Sequence, residues 1–217
     1  MFGEGVYTLA EVTRYTGVPA STLRSWFMPR SDGKGHGPIF HSEWETVEDD
    51  FAVSFLNLIE AHVASFFRDK GCKPSHIRKV HQILKDGWKI AHPFASMDLR
   101  TDQRKIILNR VKDAALIDIE KNQLVLETAR PFLLKIDYDT TSRLAVQWNI
   151  AEGVVINPKI GFGKPVIAKT GVSTSIIANQ YLANQRDVAL VARMFDIPRD
   201  GVVKAFEFER KFGRVAA

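Results

Sequence analysis

Apolar side chains recur every three or four residues through the first ninety positions of the chain, a spacing typical of helices that bury one face. The clearest such pattern covers residues 51–69 and ends at Gly71. Another helix is predicted from Pro74, because proline is tolerated in a first helical turn. Two shorter helices are predicted earlier, over residues 8–14 and 19–27. The front of the chain is therefore expected to be largely helical.

The two short helices carry recognisable signals at their ends and on their faces. Thr8 and Glu11 form a capping-box pattern, in which each side chain accepts a hydrogen bond from a backbone N–H of the first turn. Gly17 is expected to end the first helix. Leu23 and Trp26 are expected to point inward from the second helix, which leaves its polar side chains facing outward.

From residue 105 onward the apolar period changes to the alternation of β-strands. Strands are predicted at residues 106–108, 116–119, 124–126, 132–136 and 144–148. A hairpin and three further helices complete the pattern, at residues 154–156, 165–167, 175–182, 187–195 and 199–212. This order predicts an α+β fold. We divide it into a helical front, a β-rich middle and a hairpin followed by helices, covering residues 1–90, 91–150 and 151–217.

Composition narrows the class of protein. The chain has 217 residues, of which 45% are hydrophobic, so it can bury a sizeable core. Its one cysteine, Cys72, cannot form an internal disulfide, and we expect a reduced thiol in a reducing compartment. Residues 1–6 lack the segments of a signal peptide, and no stretch approaches the roughly 18 apolar residues of a membrane-spanning helix. These features predict a cytoplasmic protein, neither secreted nor membrane-spanning.

Positive charge is concentrated in the middle of the sequence. The net charge is +5 and the isoelectric point is about 9.3, which favours an anionic partner. Basic residues dominate between Arg68 and Lys112, whereas residues 43–50 are acidic. Two interpretations of the basic stretch stay open: it follows a phosphate backbone, or it is the solvated face of helices.

The two short helices have the features of a helix-turn-helix, a motif that places its second helix in the major groove of DNA. Gly17 supplies the small residue of the turn, and apolar residues of both helices lock the pair together. A glycine-rich run that ends at Pro38 predicts a hairpin, or wing, after them. Similar helix pairs also occur in proteins that do not bind DNA. The candidates for DNA contact on the second helix are Ser21, Thr22, Arg24 and Ser25.

Residues 17–26 read Gly-Val-Pro-Ala-Ser-Thr-Leu-Arg-Ser-Trp, which closely resembles the MerR-type regulators. The resemblance implies a winged helix-turn-helix in which Thr22 and Arg24 meet DNA, Arg24 at a phosphate or a base edge. Pro19 stands where relatives often have a capping serine, so the second helix is expected to lack a side-chain cap. The resemblance also implies a wing that carries the basic residues Arg30, Lys34 and His36.

The long dimerising helix and terminal cysteines of MerR proteins do not follow, and the next segment instead resembles the large antitoxins of VapB type. This second resemblance rests on residues 54–61, 71–72, 77–81 and 93–95. Residues 155–208 resemble the domain-of-unknown-function family number 433, which ends those antitoxins. Its signs here are Asn157-Pro158 and the stretch 163–167, whereas Lys169-Thr170-Gly171 departs from the Gly-Thr-Arg that the family often has.

The resemblance to these antitoxins implies a type II toxin-antitoxin system. The chain would be a homodimer that binds and neutralises a PIN-like ribonuclease toxin encoded next door, and that binds operator DNA as a repressor of its own promoter. It also implies a homeodomain-like unit of three helices at the carboxy end, with the preceding hairpin used in dimerisation. A hairpin over residues 154–167 without a third local strand would leave an edge for a second chain to pair with.

An arginine inserted among the toxin's carboxylates would suit such inhibition, because a guanidinium pairs with a carboxylate through two hydrogen bonds. The candidate toxin-binding residues are Arg186, Arg193 and Arg210. The alternative hypothesis is a dimeric MerR-like transcriptional regulator that has no toxin partner and uses its rear half for dimerisation or ligand sensing.

Enzymatic and metal-binding functions are disfavoured. The segment 161–164 lacks the glycine spacing and the following Ser or Thr of a phosphate-binding loop. The histidines include no pair at i and i+4, and Cys72 stands alone. The carboxylates of residues 43–50 fit a solvated approach to a helix, and His62 and His81 are expected in the core or at its boundary. No catalytic residue, metal ion or cofactor is expected.

Overall fold

The structure, a computed structural model, describes residues 5–28, 37–42, 51–99 and 130–212. The chain forms two compact units. The amino-terminal unit is Tyr7–Ala145, and the carboxy-terminal unit is Val146–Ala217 together with Met1–Val6. Helices and strands occur in both units, which confirms the predicted α+β class. No helix within the described ranges is long and apolar enough to cross a membrane.

The first elements along the chain are a short strand and two short helices, β1 (Val6–Thr8), α1 (Leu9–Thr16) and α2 (Ala20–Phe27). The predicted capping box is present. The Thr8 hydroxyl accepts from the Glu11 N–H at 3.3 Å, and the Glu11 carboxylate accepts from the Thr8 N–H at 3.2 Å. Gly17 ends α1 with a φ of 72°, a left-handed conformation that side chains disfavour. Both short helices are thus confirmed.

A longer helix follows the second strand. β2 (Ala52–Ser54) is hydrogen-bonded to β1, and α3 (Phe55–Asp69) begins directly after it. The predicted helix start at residue 51 was wrong, because the Ser54 side chain caps the helix by accepting from the Asn57 N–H at 3.3 Å. Residue 51 therefore precedes a short strand rather than sitting in a helical turn.

The next helix, α4 (Pro74–Trp88), begins with proline in its first turn, as predicted. Two short 3₁₀ turns come after it, Pro93–Ala95 and Met97–Leu99. α3 packs against α1, against α4 and against the first of these turns. The inward side chains of α3 are fully buried and include Leu58, Ile59 and Val63. This burial confirms the predicted apolar period of α3.

The predicted strand at residues 132–136 was wrong. Its first part is a single helical turn, α5 (Arg130–Leu133), and the strand β3 (Ile136–Tyr138) begins only at its end. The turn directs Phe132 onto α3, where its ring stacks on His62 at a centroid distance of 4.1 Å. So short an apolar run cannot distinguish helix from strand by its period. The predicted strands at 106–108, 116–119 and 124–126 lie outside the described residues.

The carboxy-terminal unit contains strands β4 (Ala145–Ala151), β5 (Val154–Ile156) and β6 (Val166–Ile167). The predicted hairpin is present, since β5 and β6 pair antiparallel with Val154 opposite Ile167. The expectation that it lacks a third local strand was wrong: β4 pairs antiparallel with β5, with Trp148 opposite Ile156. β5 is therefore a central strand, and the inference of a free β5 edge no longer holds.

The three predicted helices at the carboxy end are confirmed, as α6 (Thr174–Ala183), α7 (Val188–Phe195) and α8 (Arg199–Lys211). Asp187 caps α7 by accepting from the Leu190 N–H at 2.9 Å. The helices enclose a small apolar core with fully buried side chains that include Ile177, Val191, Val202 and Ala205.

Candidate nucleic-acid interface

α2 has one buried face and one polar face. Leu23 and Trp26 are buried, as predicted, and Phe27 joins them. Ser21, Arg24 and Ser25 are exposed, and Thr22 is half-buried. The Ser25 hydroxyl donates to the Thr22 carbonyl at 2.7 Å, so it lies along the helix. The candidate DNA-contacting residues that the structure describes thus share one outward face.

The first turn of α2 has no side-chain cap. Pro19 occupies the capping position and makes no side-chain hydrogen bond, which confirms the prediction for this residue. Its carbonyl accepts from the N–H groups of Thr22 and Leu23, at 2.9 and 3.0 Å. An uncapped helix start carries partial positive charge and backbone N–H donors, both of which suit a phosphate group.

The end of α2 is fixed to the segment 37–42. The Trp26 carbonyl accepts from the Ile39 and Phe40 N–H groups, at 2.7 and 3.0 Å. The Phe40 ring meets Trp26 edge-on at 6.2 Å and Phe27 at 5.3 Å. This packing holds the polar face of α2 in one orientation.

Beneath this segment lies a buried polar cluster centred on Glu60 of α3. Its carboxylate accepts from His81 Nε2 at 2.8 Å, from His92 Nδ1 at 3.1 Å and from the Phe94 N–H at 3.3 Å. Burial alone would raise the pKa of Glu60, but the hydrogen bonds from the two histidines outweigh it, so the pKa lies below its usual value. The cluster joins α3, α4 and the first 3₁₀ turn, and the Phe40 ring rests edge-on against His81 at 5.1 Å.

A groove of about 330 Å³ opens beside the segment 37–42, along one face of α4. Arg78 Nε donates to the Gly37 carbonyl at 2.7 Å, which places a guanidinium at its edge. Burial lowers the pKa of Arg78 below its ordinary value, and the guanidinium remains a cation at neutral pH. None of the described residues that line the groove is acidic. The lining residues are Pro38, Ile39, His41, Ser75, Arg78, Lys79, His81, Gln82 and Lys85.

The remaining predicted site residues either lie outside the described residues or are spread over different elements. Arg30, Lys34 and His36, the candidates on the wing, lie outside the described residues, as does the acidic run 43–50. Arg186 lies between α6 and α7 with its guanidinium 5.9 Å from the Phe206 ring, and it is exposed. Arg193 and Arg210 are exposed in the last turns of α7 and α8. The three arginines therefore belong to three different elements.

Glu60 and His92 are missing from the sequence-based candidates. They lie 32 positions apart, and no local spacing connects them. A signal was present, because Glu60 is the acidic residue in the middle of a mostly apolar helix. His62 and His81 are buried, as predicted. Within the described ranges, no three His, Cys, Asp or Glu side chains are grouped to hold a metal ion.

Residues 154–208 match the family model named Protein of unknown function (DUF433). A protein of Mycobacterium tuberculosis (strain ATCC 25618 / H37Rv), named "Putative antitoxin VapB45", is 25% identical over 196 residues, which are 79% of this chain and 80% of the relative. The chain is thus similar to DUF433 in its carboxy-terminal part and, over most of its length, to a protein named as an antitoxin. The crystal structure of Rv2018 from Mycobacterium tuberculosis superposes with a TM-score of 0.73 at 26% identity, over 92% of this chain and 96% of that one.

Proposed function

We propose that this chain is the non-enzymatic antitoxin of a type II toxin-antitoxin pair, and that it also represses its own promoter. The observation that carries the proposal is the similarity, over about four fifths of both chains, to a relative whose name assigns it to the antitoxins. In this proposal the chain is a homodimer, and it neutralises a PIN-like ribonuclease encoded by the adjacent gene.

The polar face of α2 supports the DNA-binding part of the proposal. Arg24 and Ser21 are exposed near the uncapped start of a helix whose opposite face is anchored by Trp26. A side chain so placed can enter a major groove while the helix start meets a phosphate. We assign α1 and α2 as a MerR-like helix-turn-helix, with Arg24 as its central contact and operator DNA as its ligand.

Co-expression with the adjacent gene tests the antitoxin assignment. The two products are expected to co-purify as a complex in which the ribonuclease activity is suppressed. If the adjacent product neither binds this chain nor is inhibited by it, the antitoxin assignment is wrong. The chain would then be a DNA-binding regulator without a toxin, a second function that the exposed face of α2 favours independently.

Binding to the DNA upstream of its own gene tests the repressor assignment. Arg24→Ala is expected to weaken specific binding by about 1–3 kcal/mol at fixed salt, because a bidentate base contact is lost. Arg199→Ala is the matched control, since Arg199 is also exposed and lies in a first helical turn, but on α8. Equal affinity of both variants and the wild type would refute the role of Arg24.

A further inference from the structure

The loop between β5 and β6 ends in a tip that presents a large apolar ring to solvent. We define the β5–β6 tip as residues 159–164. Phe162 is 87% exposed, and Ile160 beside it is 38% exposed. An exposed aromatic ring is unfavourable, because burying such a side chain stabilises a protein or a complex by roughly 1.5–3 kcal/mol. Together the two adjacent apolar side chains are suited to a pocket on a partner's surface.

The β5–β6 tip is ordered by its own hydrogen bonds. The Ile160 N–H donates to the Asn157 carbonyl at 3.0 Å, and the Gly163 N–H donates to the Ile160 carbonyl at 3.1 Å. The Asn157 side chain accepts from the Lys159 N–H at 2.9 Å and donates to Gln147 of β4 at 3.3 Å. These bonds connect the tip to the sheet, so that the apolar ring is held in place before any partner arrives.

The backbone of the tip adopts a strained conformation at Phe162. Three consecutive residues have positive φ: 57° at Gly161, 55° at Phe162 and 77° at Gly163. Gly161 cannot carry a side chain, because a Cβ there would lie 2.9 Å from Val166 Cγ1. A left-handed conformation at a residue with a side chain costs roughly 1–2 kcal/mol. Phe162 is the one aromatic residue that adopts it within the described ranges.

Lysines flank this ring along the chain. The stretch 154–172 contains Lys159, Lys164 and Lys169 and no acidic residue. The turn that follows Lys169 lies beside the tip, since a Cβ at Gly171 would be 3.4 Å from Ile160 Cγ2. A partner that accepts the ring must therefore also tolerate cations at the edge of the contact, which carboxylates do best.

These features favour a protein partner over nucleic acid or a second copy of the chain. Base-stacking sites are aromatic rings in cationic grooves that follow a strand, whereas Phe162 protrudes from a convex tip beside an aliphatic residue. Two copies joined tip to tip would bring lysines against lysines, which is repulsive. A rigid aromatic side chain that fills an apolar pocket is the usual form of a protein-binding hot spot.

We propose that the β5–β6 tip is the element with which this chain docks onto its toxin, with Phe162 in an apolar pocket and carboxylates of the pocket's rim facing Lys159. This inference rests on the proposed antitoxin function. It adds the surface, the anchoring residue and the chemistry of the complementary pocket. It makes the aromatic side chain of Phe162 the main contact with the toxin, in place of Arg186, Arg193 and Arg210.

The test compares Phe162→Ala with Met194→Ala in the full chain, with affinity measured against the purified product of the adjacent gene. Met194 is the matched control, because it is an apolar side chain of the same unit that is 50% exposed. Phe162→Ala is expected to raise Kd at least about 30-fold, as for other hot-spot residues, and Met194→Ala less than about threefold. Lys159→Glu is expected to slow association and to weaken its dependence on salt.

Phe162→Gly separates binding from folding. Glycine adopts the left-handed conformation without strain, so this variant is expected to melt at the wild-type temperature or above it. It should nevertheless lose toxin binding as Phe162→Ala does. Loss of binding that is accompanied by a lower melting temperature in both variants would overturn the docking role.

The remaining outcomes are distinct. Toxin binding that is unchanged in Phe162→Ala overturns this inference and leaves the antitoxin function intact. Failure of the wild-type chain to bind the adjacent product overturns both. A variant that keeps toxin affinity but loses affinity for upstream DNA, or changes the oligomeric state in sedimentation, would assign the tip to nucleic acid or to a second copy instead.

Discussion

The two units both present positive charge, but they differ in the apolar surface that accompanies it. In the amino-terminal unit, Arg24 and the groove lysines Lys79 and Lys85 stand among polar side chains. Of the exposed large apolar residues in the described ranges, that unit contributes only Leu134. The carboxy-terminal unit contributes Val6, Ile160, Phe162, Ile176, Leu182, Met194 and Val203. Charge alone therefore does not identify the partner: a polar cationic face suits DNA, and an apolar one suits a protein.

The interiors of the two units differ as well. Each buries a glutamate, but Glu60 of the amino-terminal unit is surrounded by imidazole and backbone N–H donors. Glu209 of the carboxy-terminal unit accepts from the hydroxyl of Thr174, at the start of α6. The amino-terminal unit thus buries Glu60 with the imidazoles of His81 and His92, and it also buries His62. This contrast makes the amino-terminal unit the more sensitive of the two to charge removal and to acid.

The strongest test of this contrast is Glu60→Leu. Leucine has a similar size but cannot accept the three hydrogen bonds, so His81, His92 and the Phe94 N–H lose their buried acceptor. Removing one partner of a buried polar cluster costs about 3–5 kcal/mol. The free energy of unfolding in urea should fall by that amount. Glu207→Leu, an exposed glutamate of α8, is the control and should change it by less than about 0.5 kcal/mol. Similar losses in both variants would refute the special role of the cluster.

Local features of the fold were predictable where a short stretch of sequence decides them. The capping pair Thr8 and Glu11, the turn at Gly17 and the two faces of α2 depend on neighbours within a few residues. The start of α3 was missed although Ser54 carried the signal, because the apolar period extends through residue 51. The pairing of β4 with β5 was missed since strand neighbours are chosen by the whole sheet.

The candidate site was predictable only in part. The outward position of Arg24 follows from the helical period that buries Leu23 and Trp26. The groove beside α4 does not, because its lining comes from two segments about 40 positions apart, which meet where Arg78 donates to the Gly37 carbonyl. The exposure of Phe162 could not be predicted from the sequence either. An aromatic residue between glycines is expected in a core or in a turn, and its surroundings in the fold decide which.

A second test, with an effect of intermediate size, is the dependence of the free energy of unfolding on pH. Burial, with a smaller contribution from the charge of Lys135, lowers the pKa of His62 to about 3. The unfolded chain protonates this residue near its ordinary pKa of 6.5. Stability from His62 is therefore complete above that pH and is lost as the pH falls toward 3. Between pH 7 and pH 5.5, above the range in which Glu60 titrates, the loss is about 1 kcal/mol.

His62→Phe removes the titrating group and keeps a ring to stack on Phe132. The free energy of unfolding of this variant, followed by urea titration at both pH values, should vary by about 1 kcal/mol less than that of the wild type. His76→Phe is the control, because His76 is a half-buried histidine near the start of α4. An unchanged pH dependence in His62→Phe would show that the acid sensitivity originates elsewhere.

The smallest expected effect is on the salt dependence of DNA binding, which is compared after lysines are removed from either unit. If the groove beside α4 follows a phosphate backbone, Lys79→Gln with Lys85→Gln removes up to two phosphate contacts. The slope of log Kd against log salt for upstream DNA should then fall by about 1–2, with less than about a tenfold loss of affinity near physiological salt. Lys159→Gln with Lys169→Gln removes the same charge from the carboxy-terminal unit and should leave the slope unchanged. If both pairs lower the slope equally, DNA contacts the two surfaces alike, and the assignment of one to DNA and the other to a protein partner fails.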